Sequence, residues 1–156
     1  MTLLTTAPGF APMLTPEEML ERGVFGRNYF HNASDKDYMH MRPSIVKLAL
    51  LNTEPFDKNK NFYLARAGES YEDWMRNGWI FPEDPLGWFH WYCRFSSGRR
   101  HSRDAHQIHR HNHYRQRWGR YARTQMHRKG DASAVVKQGL LQWALEPLEI
   151  LHGDGI

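Results

Sequence analysis

At 156 residues, with 40% hydrophobic and 24% charged side chains, the chain has the make-up of one globular domain with apolar surface enough for a core. One cysteine excludes an internal disulfide framework and a multi-cysteine metal site, and no run approaches the ~18 apolar residues of a membrane span. The net charge of +4 hides an asymmetry: residues 99–129 carry nine Arg and one Lys against a single acid, Asp104, along with six His, while the N-terminal half is near neutral.

Residues 1–14 read as a flexible tail of Thr, Pro, Ala and Gly without helical period. They lack the basic n-region and continuous apolar core of a secretory signal, so a cytoplasmic location is expected. A single helical domain is expected over 15–150. Thr15-Pro16-Glu17-Glu18 is a helix start with a capping box, and Gly23 stops that helix. Residues 24–42 are turn-rich and predict irregular chain with one helical turn. Pro43 opens a short buried helix through Ile45, Leu48, Ala49 and Leu51, with a strand as the alternative. Residues 52–61 are a loop, 61–68 a short strand or turn, and Ser70 to Gly78 a short helix.

Asp84-Pro85 predicts a cap and first turn for a helix near 85–97, closed by Gly98. Ser102 is positioned to cap a long helix over 103–128, closed by Lys129-Gly130. Asp131 or Ser133 starts a last helix that Pro147 ends. The expected fold is therefore mainly α: a compact helical domain with an irregular N-terminal region, a helix hairpin around Gly98–Arg100 and a C-terminal helix.

At ~100° per residue, Trp88, Trp91, Tyr92 and Phe95 share one arc of the 85–97 helix, extended by Phe89 and Cys93, and form a core wall. His90 and Arg94 occupy the other side, one turn apart. On the 103–128 helix the inner face carries Ile108, Tyr114, Trp118, Tyr121, Ala122 and Met126. Toward its N-terminus the same face holds Asp104, Gln107, His111 and Arg115, where periodicity calls for apolar residues. This set either forms a polar network joining the two helices or lines a cleft. In a cleft, His111 would exchange protons with Asp104 orienting it, and His90, Arg94, Arg99, Arg100, Gln107 and Arg115 would hold an anion. The outer face carries Arg103, Arg117, Arg120 and Arg123, with Arg110 nearby, as candidates for nucleic-acid phosphates. It also presents His106, His109 and His113 at helical spacing, but without a nearby acid and among arginines, so no metal site is assigned.

The run Trp79-x-x-Pro82, Asp84-Pro85, Gly87-Trp88-Phe89, Trp91-Tyr92-Cys93-Arg94 and Gly98-Arg99-Arg100 resembles a protein family with the pattern GW-x-x-P-x-DP-x-GWF-x-WYCR-x-x-x-GRR. In that family an Asp, a Gln-Ile and a basic helix follow, then Leu-Leu-Gln-Trp-Ala close to Pro. Asp104, Gln107-Ile108, Arg110 and Leu140–Ala144 are similar to these. The likeness spans roughly residues 70–147 and implies no activity. It departs at 106–111, where His-Gln-Ile-His-Arg-His stands in place of Arg-Gln-Ile-Lys-Arg-Trp.

The basic block points first to a polyanion partner, nucleic acid above all, bound through the helix within 99–129. No zinc finger, helix-turn-helix or RNP fingerprint accompanies it. A small enzyme or binding protein for an anionic substrate, using the polar cleft between the two helices, is the alternative. A structural subunit of a larger assembly is the third reading. No cofactor and no membrane partner are implied.

Overall fold

The computed structural model describes residues 9–55, 57–65 and 81–152, so the helix expected over 70–78 lies outside the described residues. Those residues build six α-helices: α1 (Pro16–Glu21), α2 (Pro43–Ala49), α3 (Trp88–Ser96), α4 (Asp104–Lys129), α5 (Ala134–Gln142) and α6 (Pro147–His152). Two short 3₁₀ turns, Asp35–Tyr38 and Lys58–Lys60, punctuate the N-terminal half, and no strand forms among the described residues. The protein is a mainly helical domain. None of the described helices is long and apolar enough to cross a membrane.

Local sequence dictates the first helix. The Thr15 hydroxyl accepts from the Glu18 N–H at 3.1 Å, and the Glu18 carboxylate accepts from the Thr15 N–H at 2.8 Å, so the capping box closes in both directions. Thr15→Ala should lower stability by about 1 kcal/mol, measured by denaturant titration. Gly23, at φ +69°, ends the helix in the left-handed conformation that its lack of a Cβ permits.

The centre of the molecule is α3. All nine of its residues are buried, including the two polar ones on the side opposite the aromatic wall, His90 and Arg94. Trp88, Trp91, Tyr92 and Phe95 form that wall with Phe89 and Cys93. The second side is covered by the irregular stretch from Tyr29 to Met41, which a one-sided amphipathic reading would leave in solvent. Fully buried Cys93 has its thiol pushed well above its ordinary pKa by burial, as suits a small hydrophobe rather than a nucleophile.

The helix begins at Trp88, three residues later than Asp84-Pro85 suggests, because the Asp84 carboxylate is engaged elsewhere. Gly87 stands at the cap instead, at φ 109°. The next helix follows antiparallel. Trp88 Nε1 donates to the Gln107 carbonyl at 3.0 Å and Trp91 Nε1 to Asp104 Oδ1 at 2.8 Å, so a step forward along α3 is a step back along α4. The expected hairpin around Gly98–Arg100 is present.

The C-terminal half of α4 packs on α5 and α6 through a smaller aliphatic cluster of Ala122, Ala132, Leu140, Leu145 and Ile150. Trp143 touches both this cluster and the aromatic core. Pro147 does not end the last helix. The chain leaves α5 at Gln142, turns through Ala144 at φ +59°, and Pro147 supplies the first residue of α6. The expected tail also differs in its described part: Phe10 and Leu14 are buried, and Phe10 meets the rings of Trp88, Trp91, Tyr92, Phe95 and His111 at 5.0–6.3 Å. The Met13 N–H donates to the Ala144 carbonyl at 2.7 Å, which ties this segment to the far end of the chain.

Candidate polyanion-binding face

The polar residues between and around α3 and α4 fall into three groups. The first surrounds Asp84, which is 3% exposed. Arg99 grips its carboxylate with both terminal nitrogens, at 2.6 Å each, and Arg94 Nη1 donates to Oδ1 at 2.9 Å. His101 Nε2 lies 3.4 Å from Oδ2. Burial alone would raise the Asp84 carboxyl; the Arg99 hydrogen bonds and charge, with His90 and Arg94 adding to them, override it and hold the group below its usual value. Arg94 also donates to the carbonyls of Met39, Glu83 and Lys36 at 2.7–3.0 Å. One guanidinium thus ties two carbonyls of the N-terminal wrap, those of Lys36 and Met39, to the Glu83 carbonyl just ahead of α3.

The second group is a pair of buried histidines. His90 Nδ1 accepts from the Leu86 N–H at 3.3 Å, so its proton sits on Nε2 and is donated to the Asp37 carbonyl at 2.8 Å. Burial, then the neighbouring Arg94 charge, pushes its pKa from 6.5 to about 4. His111 donates from Nε2 to the Trp143 carbonyl at 2.8 Å and stacks on Trp88 with centroids 5.2 Å apart. Its Nδ1 is buried without a hydrogen-bond partner. Burial lowers its pKa to about 4 as well. Both imidazoles are neutral at physiological pH.

Of the candidate acid–base and anion-binding residues, the structure joins Arg94 and Arg99 at Asp84, with His90 beside them. Asp104 binds Trp91 and also accepts from the His101 N–H at 3.0 Å, while His111 binds Trp143. Gln107 Oε1 accepts from Arg110 at 2.9 Å, and Arg115 donates to the Ala11 carbonyl at 3.3 Å. Arg100 lies over the Phe95 ring at 3.7 Å and donates to the Phe95 carbonyl at 2.8 Å. Each has a structural partner. Asp84, the carboxylate at the hub, reads in the sequence only as a helix cap; its partners stand ten and fifteen residues on, at no helical register that would reveal them.

The third group is the outer face of α4. Two of the candidate phosphate-binding residues pack at its base: Arg103 lies 4.2 Å from the Phe81 ring and 3.6 Å from the Glu83 carboxylate, and Arg110 is half-buried beside Trp143. Arg123 donates to the Ile150 carbonyl at 2.8 Å. Arg117 and Arg120 are exposed, as are Arg128 and Lys129 in the last turns, and among the described residues no carboxylate pairs with any of the four. His106, His109, His113 and His127 share the exposed surface. No group of three or more His, Cys, Asp or Glu among the described residues is arranged to hold a metal ion. Compared with protein-family models, curated proteins and solved structures, the chain finds no match in any of the three.

Proposed function

We propose that the protein binds a polyanion, nucleic acid in the first instance, along the exposed face of α4. The observation that carries this reading is the set of solvent-facing cations without carboxylate partners among the described residues: Arg117, Arg120, Arg128 and Lys129. Surface arginines in folded proteins commonly sit near an acid. A run of them without one raises the local positive potential and favours a ligand that arrives with its own row of negative charges. The arginines inside the fold have carbonyl, carboxylate or aromatic partners and support the helix rather than the ligand.

The test is the salt dependence of binding to a labelled oligonucleotide. Affinity should fall as a power of salt concentration, and replacing Arg117 and Arg120 by Gln should shrink the slope by roughly one per residue, as expected for lost phosphate contacts. Binding that ignores salt, or that is unchanged in the double variant, would overturn the reading. The alternative of a small-anion cleft between α3 and α4 draws no comparable support, since the side chains that would line it are engaged with one another and with backbone carbonyls.

A further inference from the structure

Resting on that reading, a second observation narrows the polyanion. The outer side of α4 carries a concavity of about 590 Å³ lined by Arg117, Trp118, Arg120 and Tyr121, with His113 and Thr124 at its edge. It is a shallow, open depression rather than an enclosed pocket. Its floor is aromatic and ordered from beneath: Trp143 stacks on Tyr114 at 4.7 Å, Tyr114 lies 6.0 Å from Trp118, and Trp118 meets Tyr121 edge-on at 5.4 Å. This ladder runs out of the core and ends on a ring that is 48% exposed. A large aromatic held that firmly from one side, half-exposed on the other, and neighboured by two arginines without carboxylate partners among the described residues, is a stacking platform with phosphate donors beside it.

We infer that the Trp118–Tyr121 concavity takes an unpaired base of a single-stranded nucleic acid, the base stacking on Tyr121 while Arg117 and Arg120 hold the flanking phosphates. Every base has a π-face, so the contact is tolerant of sequence. A duplex keeps its bases stacked within, and exposing one to the platform costs a few kcal/mol of unstacking. The site therefore favours the single strand, whereas charge alone favours the more densely charged duplex.

Fluorescence anisotropy with labelled dT12, U12, a 12-base-pair duplex and heparin separates the possibilities. The single strands should bind at least about tenfold tighter than the duplex at equal salt, and Tyr121→Ala should remove about that factor, within the range of one stacked base. The same variant should leave duplex and heparin binding unchanged, and Tyr121→Phe, which keeps the ring, should retain single-strand affinity. Equal loss on dT12 and U12 is expected, because stacking does not read the 2′-hydroxyl. Equal affinity for single strand and duplex, or a Tyr121→Ala variant indistinguishable from wild type, overturns the stacking site while leaving polyanion binding intact. Failure to bind any of the four probes overturns both. Since Tyr121 is a surface ring, an unchanged thermal transition in both variants separates lost stacking from lost folding.

Discussion

Asp84→Asn is expected to destabilise the protein by about 3–5 kcal/mol, the cost of removing one partner from a buried ion cluster. The substitution conserves shape, removes the charge and turns one acceptor oxygen into an NH2 donor facing a guanidinium. It leaves buried Arg94 and partly buried Arg99, both compensated in the native protein by one carboxylate with 2% of its side chain exposed, as uncompensated like charges. The damage reaches the N-terminal wrap, because Arg94 is oriented by Asp84 while it holds the carbonyls of Lys36 and Met39. A denaturant titration measures the loss, and a double-mutant cycle identifies its cause. Arg99→Gln added to Asp84→Asn should cost less than the sum of the two single changes, since it removes one of the stranded charges. A loss under about 1 kcal/mol, or strict additivity, would show that the cluster is solvated and contributes little.

The second large effect is acid sensitivity between pH 6.5 and 4. His90 and His111 have pKa values of about 4 when folded and 6.5 when free, so in this window the unfolded chain binds protons that the folded chain refuses. Stability is then fully present above pH 6.5 and declines as pH falls, levelling off once the folded groups also titrate near pH 4. Each tenfold drop in proton affinity corresponds to about 1.36 kcal/mol, so the loss is on the order of 3 kcal/mol for each histidine over the whole window. His111 has the plainer mechanism, since protonation would place a charge at a buried Nδ1 that lacks an acceptor. Asp84 acts in a different range. Its carboxyl lies below the usual value of 3.8, so its contribution persists through this window and disappears only at lower pH. Denaturant titrations at pH 7, 6 and 5 should show the decline, and His111→Gln should flatten it by about half. A stability that is level from pH 7 to 5 would mean that both imidazoles accept protons without cost.

Local signals in the sequence are reliable where one residue settles one piece of backbone. Thr15 and Glu18 cap α1, Gly23 stops it, Pro43 starts α2, Ser133 caps α5, and Gly130 at φ 82° ends α4. Periodicity likewise finds the aromatic wall of α3. It fails where a helix is covered on every side, because the second cover is irregular chain with no period of its own. His90 and Arg94 therefore look like a functional face although they are the fasteners of the wrap. Tyr121 fails in the opposite direction. Its spacing from Trp118 places it on the inner face, yet α5 and α6 cover only the stripe through Ala122 and leave the ring outside. The polar set at Asp104, Gln107 and His111 is readable as misplaced. Its resolution is not for Asp104 and His111, whose partners are the Trp91 indole N–H on α3 and the Trp143 carbonyl after α5, distant in sequence, while the Gln107 side chain meets Arg110 one turn on.

The seating of Phe10 has a consequence for how the molecule is made. The ring leaves the ribosome well before its neighbours at 88–111 and before Ala144, whose carbonyl accepts from Met13. At about 5–20 residues per second, roughly ten seconds or more separate the synthesis of Phe10 from that of its last partners. Through that interval the nascent chain carries an apolar N-terminal segment with nowhere to dock. This early segment can seat only after its later partners exist, so packing of the aromatic core waits for the C-terminal helices.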